Sequence, residues 1–127
     1  MVIARRTVTH RVTHDDLATT LYPNLDKPPV LATTRLLQWC ELAAMEELGN
    51  CSVITSASVT QVVPAGLGAR ILISAVCTNV AGSRSIWYVT VSDDTELIAR
   101  VTLQLALIDA RQYSAQQVAP KRQLAPV

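Results

Sequence analysis

Glu41 is the residue on which a chemical reading can be built. Its neighbours three and four positions away on a helix are Leu37, Gln38, Ala44 and Met45. An ionised carboxylate is unfavourable among apolar groups. Such a side chain therefore finds donors, gains basicity, or lies in a pocket that admits water and substrate. The competing structural reading is a carboxylate that reaches an exposed edge or pairs with an arginine. If Glu41 is instead poised, it can take a proton from water as a general base or attack an electrophile directly. Thr33 is the second candidate: its hydroxyl, or the N–H groups at the helix start, can orient a carbonyl, and its plain reading is a helix N-cap. Eight helical residues separate Thr33 from Glu41, about 12 Å of rise. The two serve one site only if Thr33 lies off the helix and folds back, or if a dimer two-fold carries one chain's residue toward the other's. Gln38 is placed to hold Glu41 or a water.

The element that must position these groups is one helix over residues 33–49, apolar almost all round and hence read as buried. Thr33 or Thr34 can cap its start, Pro28 and Pro29 keep the preceding chain extended, and Gly49 with Asn50 supplies the stop. Before it come a β-branched strand over residues 5–13, a short helix from Thr13-His14-Asp15-Asp16-Leu17 to Leu21-Tyr22-Pro23, and a loop over residues 23–32. After it the period changes to two, and four strands fit residues 52–63, 69–80, 84–92 and 96–109. Pro64-Ala65-Gly66-Leu67-Gly68, Ala81-Gly82-Ser83 and Asp93-Asp94-Thr95 separate them, short enough to make neighbouring strands antiparallel. In the last strand Leu97, Ala99, Val101, Leu103, Leu105 and Leu107 share a face. Val53, Ala57, Val59 and Val63 do so in the second strand, and Trp87, Val89 and Val91 in the fourth. This order predicts an α+β hotdog fold, a curved antiparallel sheet wrapped around one long central helix. Such a small layer leaves apolar area at its rim, including Trp39, Trp87 and Tyr88, so a homodimer or higher homo-oligomer is expected.

The chain has 127 residues, half of them hydrophobic, and a net charge of +1. That fits a single domain over residues 1–110 with a loosely ordered C-terminal tail over 111–127. There is no basic block and no run approaching the ~20 apolar residues of a membrane span, so neither nucleic acid nor membrane is an expected partner. Cys40, Cys51 and Cys77 have no CxxC or Cys/His spacing, so no metal and no other cofactor is expected, and reduced cysteines point to the cytoplasm. His10 and His14 read as surface histidines.

A resemblance is carried by Leu21-Tyr22-Pro23, Val30-Leu31-Ala32-Thr33, Trp39-Cys40-Glu41, Val63-Pro64-Ala65-Gly66 and Gly82-Ser83-Arg84 ahead of Trp87. In that order and spacing, over about residues 5 to 109, the chain resembles hotdog acyl-CoA thioesterases of the fluoroacetyl-CoA thioesterase-like group. The resemblance implies that Thr33 and Glu41 belong to a catalytic set acting on an acyl thioester. The family's histidine, seven residues before the glycine of the Pro-x-Gly turn, falls on Val59. The arginine of the fluoroacetyl enzyme falls on Leu105, and its aromatic lid is replaced by Asn24 to Pro29, which has no phenylalanine. Fluoroacetyl specificity is therefore not expected.

Beside Val59, strand alternation leaves Gln61 as the polar residue on the same face, with Ser58 and Thr60 turned away. Arg84, Arg70 and Lys121 are cations that could meet coenzyme A phosphates. The first expectation is hydrolysis of an acyl thioester, carried by coenzyme A or a carrier, with Glu41 as base or nucleophile, Thr33 as positioning group, and Thr34, Gln38, Val59, Gln61 and Arg84 around the substrate. The alternative is a non-catalytic hotdog protein that binds an acyl group or other hydrophobic small molecule, its turnover lost with the histidine.

Overall fold

β-Branched runs punctuated by glycine, proline and aspartate become strands, and the long aliphatic run becomes a helix. A computed structural model describes residues 2–48 and 52–108 of the chain. β1 (Ala4–Arg11) leads through a single 3₁₀ turn at His14–Asp16 into α1 (Ala18–Leu21), then α2 (Thr33–Leu48), β2 (Ser52–Gln61), β3 (Arg70–Ala81), β4 (Arg84–Ser92) and β5 (Leu97–Leu107). The helix stop at Gly49 and Asn50, Cys51, and the tail over 111–127 with Lys121 lie outside the described residues.

The strands form one antiparallel sheet in the order β1-β3-β4-β5-β2. Along β3, β4 and β5, alternate side chains are buried: Ile71, Ile73 and Ala75; Trp87, Val89 and Val91; Ala99, Val101, Leu103 and Leu105. They meet Leu36, Cys40, Ala43 and Ala44 of α2 in one core. The small side chains at 40, 43 and 44 let the helix lie close against the sheet, while each fully buried aliphatic side chain contributes about 1.5–3 kcal/mol. Between β3 and β4 the chain reverses at Gly82, whose φ of +62° favours a residue without a Cβ.

Four expectations need correction. β2 and β3 are antiparallel but not neighbours, because the Pro64–Gly68 segment is a crossover rather than a hairpin. The N–H groups of Val62 and Val63 both donate to Ile98 O, at 2.7 and 3.2 Å, and Leu31 N–H donates to Ala65 O at 2.7 Å, tying the crossover to the loop before α2. Second, a bulge between Ile54 and Ser56 changes the alternation of β2, so Ile54 takes the core position and Val53 is exposed. In β5, Leu107 sits beside the β3–β4 turn, its N–H on Ser83 O, and is likewise exposed. Third, Trp87 is fully buried and Trp39 is 7 % exposed, leaving Tyr88, at 48 %, as the exposed aromatic of that trio. Trp87 faces the helix from the middle of the sheet, its indole N–H on Ser85 Oγ at 3.1 Å, and Trp39 lies under His10. Fourth, α2 is not buried all round. The sheet covers one side only, and Thr33, Thr34, Gln38, Leu42, Glu46 and Glu47 are exposed.

The start of α2 is pinned by a buried acid. Asp16 Oδ2 accepts from the Thr13 backbone N–H (2.8 Å) and hydroxyl (3.0 Å), and Oδ1 lies 3.3 Å from Arg35 Nε. Ala32 N–H donates to Asp16 O at 3.0 Å, and Leu36 N–H to Ala32 O opens the helix ladder. Ala32 thus stands at the cap position, one residue before the expected threonines. At the other end Arg6 of β1 pairs with Glu46 and, at 3.6 Å, with Glu47. Replacing Asp16 by alanine leaves Arg35 and the Thr13 N–H without their partner. The expected loss is about 2 kcal/mol, read as a lower urea midpoint, and an unchanged midpoint would show the pin to be idle.

Candidate functional site

At its first turn α2 meets the end of β2. Thr33 is the first helical residue, exposed, and its hydroxyl donates to Gln61 Oε1 at 2.9 Å. The Gln61 amide is turned that way because its Nε2 donates to Val63 O at 3.3 Å. Gln61 stands opposite Ala99 and Val59 opposite Val101, so both point to the helix side of the sheet, whereas Ser58 and Thr60 point away. Val59 packs half-buried against the core. Thr34 Oγ1 accepts from the Tyr22 hydroxyl at 3.2 Å.

These groups surround a cleft of about 290 Å³ lined by Ala18, Tyr22, Lys27, Pro28, Val30, Leu31, Ala32, Thr33, Thr34 and Gln61. Sequence reasoning had placed Thr33, Thr34 and Gln61 near a substrate but missed Tyr22 and Lys27. The signal was present in the proline-spaced segment 23–32, where the Lys27 ammonium is held 5.8 Å from the Tyr22 ring centre.

Glu41 lies two turns further along α2, rotated by about 80° from Thr33 on an ideal helix. It is half-buried, on the flank that also carries Leu37 and Met45 and opposite the flank carrying Trp39 and Glu46. No hydrogen bond or ion pair holds its carboxylate among the described residues. Gln38 does not reach it: Gln38 Oε1 accepts from Arg35 Nη1 at 3.0 Å. Arg84 is exposed and lines a separate cleft of about 540 Å³ with Thr78, Asn79 and Gln104. It pairs opposite Ala106 while Gln61 pairs opposite Ala99, which separates the two by about 23 Å along β5. Leu105 is fully buried in the core. Arg70 is exposed at the start of β3, beside Arg11, Asp93 and Asp94. Among the described residues no His, Cys, Asp and Glu side chains converge in threes as metal ligands would.

A family model described as fluoroacetyl-CoA-specific thioesterase matches residues 12–111. Among solved structures, the fluoroacetyl-CoA thioesterase FlK superposes with a TM-score of 0.83 at 24% identity, over 99% of this chain and 98% of that one. A hot-dog-like protein from Thermanaerovibrio acidaminovorans follows the same path with a TM-score of 0.77 at 18% identity, over 94% and 93%. The protein smu.793 from Streptococcus mutans UA159, solved bound to acetyl CoA, gives 0.70 at 17% identity over 82% and 81%. These likenesses establish the hotdog fold. No curated protein matches the chain.

His10 is neither a free surface group nor placed on the cleft. Its ring stacks on Trp39, with centroids 4.4 Å apart and planes 1° from parallel. Burial lowers its pKa below the ordinary 6.5, against the opposing pull of Asp16 and Glu46. The folded chain therefore protonates His10 at lower pH than the unfolded chain does. Its contribution to stability is present above about pH 6.5 and is lost as the pH falls through the lowered value. His10→Phe keeps a stacking ring and removes the proton. Its melting temperature should fall less than that of the wild type between about pH 7.5 and 5. Parallel pH profiles for the two proteins would contradict this.

Proposed function

Because the chain belongs to the fluoroacetyl-CoA-specific thioesterase family, we propose that it hydrolyses an acyl thioester, with Glu41 as general base or nucleophile and Thr33 positioning the acyl carbonyl. The observation that carries this reading is the pairing, on one helix, of a hydroxyl held at the rim of a cleft and a half-buried carboxylate with no partner among the described residues.

Thr33 is the first residue of α2 and does not fold back, so within one chain it stands about 12 Å of helical rise from Glu41. That is too far for both to grip one thioester carbonyl. β2 is an edge strand, hydrogen-bonded to β5 alone among the named strands, and Ala57 and Ser58 are exposed along it. An unpaired edge invites pairing with another chain. We therefore place the site between two copies, with Thr33 from one and Glu41 from its partner, in a homodimer or a larger assembly of such pairs.

As a base, Glu41 takes a proton from water while the water oxygen bonds to the thioester carbon. The tetrahedral oxyanion then collapses, the C–S bond breaks, and the thiolate leaves and regains a proton. As a nucleophile, Glu41 itself bonds to that carbon, the C–S bond breaks and the thiolate leaves and takes up a proton, and water then opens the resulting anhydride to release the acid and restore the Glu41 carboxylate. The Thr33 hydroxyl exchanges Gln61 for the acyl carbonyl as substrate arrives. Thr34 and Gln61 line the acyl end, while Val59, two residues from Gln61 on the same face of β2, packs against the core outside that lining. Gln38, engaged with Arg35, contributes through the helix start alone. Arg84, exposed and remote, fits the phosphate end of coenzyme A rather than the acyl end. Neighbours solved with acetyl-CoA or with fluoroacetate and CoA support an acyl thioester as the ligand. Cys40 and Cys77, both free and buried, support a reducing cytoplasm.

Val59 favours a second reading, a hotdog protein that binds an acyl group without turning it over. Thiol release from a panel of acyl-CoAs separates the two. Hydrolysis by the wild type, with a loss of about 10²-fold or more in Glu41→Gln, is expected for the enzyme. Equal rates in both proteins would remove Glu41 from the mechanism, and saturable binding with no release from any substrate would favour the binding protein.

A further inference from the structure

The cleft beside Thr33 contains a cation that hydrolysis does not use. Lys27 lines it, and no acidic side chain does. The cleft that brings Arg11 and Arg70 together, by contrast, also holds Asp93 and Asp94. Among the described residues Arg6 is paired with Glu46 and Glu47, and Arg35 with Asp16; Lys27 has no carboxylate partner, as is also true of Arg84 in the cleft of about 540 Å³. Lys27 is exposed, and the chain around it restricts where it can reach. Pro28 and Pro29 follow directly and restrict the backbone, and the ammonium faces the Tyr22 ring. Tyr22 is held in turn by its bond to Thr34 Oγ1. Because Thr34 Oγ1 accepts from Tyr22, its own proton is free to be donated into the cleft.

We infer that the acyl group taken by this protein is short and carries a carboxylate at its far end, which Lys27 receives. This rests on the thioesterase reading, in which Thr33 marks the carbonyl end of the same cleft. The volume of about 290 Å³ lies at the small end of ligand sites and suits a short acyl chain rather than a fatty one. Apolar walls from Ala18, Val30, Leu31 and Pro28 accept the methylene groups between the two ends. The ammonium and the Thr34 hydroxyl, both on the lining of the cleft, offer donors, a composition that selects an anion over a methyl group. An aliphatic end in place of the carboxylate would forgo that pairing.

The test compares succinyl-CoA with butyryl-CoA, which match in chain length and differ in the terminal group. Turnover is measured on the wild type and Lys27→Met, and binding by calorimetry on the same pair in a Glu41→Gln background, where the result does not depend on hydrolysis. Wild type should prefer succinyl-CoA by at least tenfold in kcat/KM. Lys27→Met should lose most of that preference while leaving butyryl-CoA within threefold, and Lys27→Glu should reverse it. The binding arm should show the same loss for succinyl-CoA, including in the case where no thioester is hydrolysed, so that failure of catalysis and failure of the carboxylate preference are read separately. Equal affinity for both acyl-CoAs, or an equal drop for both on Lys27→Met, would overturn the inference.

Discussion

One sheet cannot enclose one helix. The five strands curve over a single side of α2, and the close approach permitted by Cys40, Ala43 and Ala44 leaves the other side exposed at Gln38, Leu42 and Glu46. Glu41 lies between these regimes, near enough to the core for its neighbours to be apolar and far enough from it to be reached by water. The half-covered helix thus leaves Glu41 half-buried.

Chemistry also requires the helix to start at a defined place. The Asp16–Arg35 ion pair, the Ala32 bond to Asp16 O and the bridge between Val30 and Gly66 bring three separate segments to the first turn of α2. The crossover after β2 then carries Gln61 to Thr33. The pin and the cleft are thus built from the same loops, which couples stability to the position of Thr33. At the opposite end, the Arg6 contacts to Glu46 and Glu47 hold the helix against β1, so the flank opposite Glu41 is the anchored one.

Much of this was legible from residue order. The helix over 33–49 and the alternation of Ala99, Val101, Leu103 and Leu105 located the core, because periodicity reports which face is covered. The face on which Gln61 stands was read by counting along β2 from Val59. What escaped were effects that depend on distant partners. The bulge at Ile54 and Ser56 follows from how β2 meets β5. The crossover at Pro64 looks like a hairpin turn until the loop before α2 is seen bonding to it. His10 reads as a surface residue until Trp39 is folded beneath it, and Lys27 reads as loop charge until its ammonium is seen over the Tyr22 ring on the lining of the cleft.

The central claim is that one active site draws Thr33 from one chain and Glu41 from another, and mixing two disabled proteins tests it most directly. Thr33→Val and Glu41→Gln are each purified, then unfolded and refolded together at equal concentration, and thiol release is compared with that of each refolded alone. A shared site predicts recovery in the mixture to about a quarter of wild-type activity, since half of the randomly formed pairs contain one intact site out of two. A mixture no more active than the mean of its two parents would show that both residues act from the same chain.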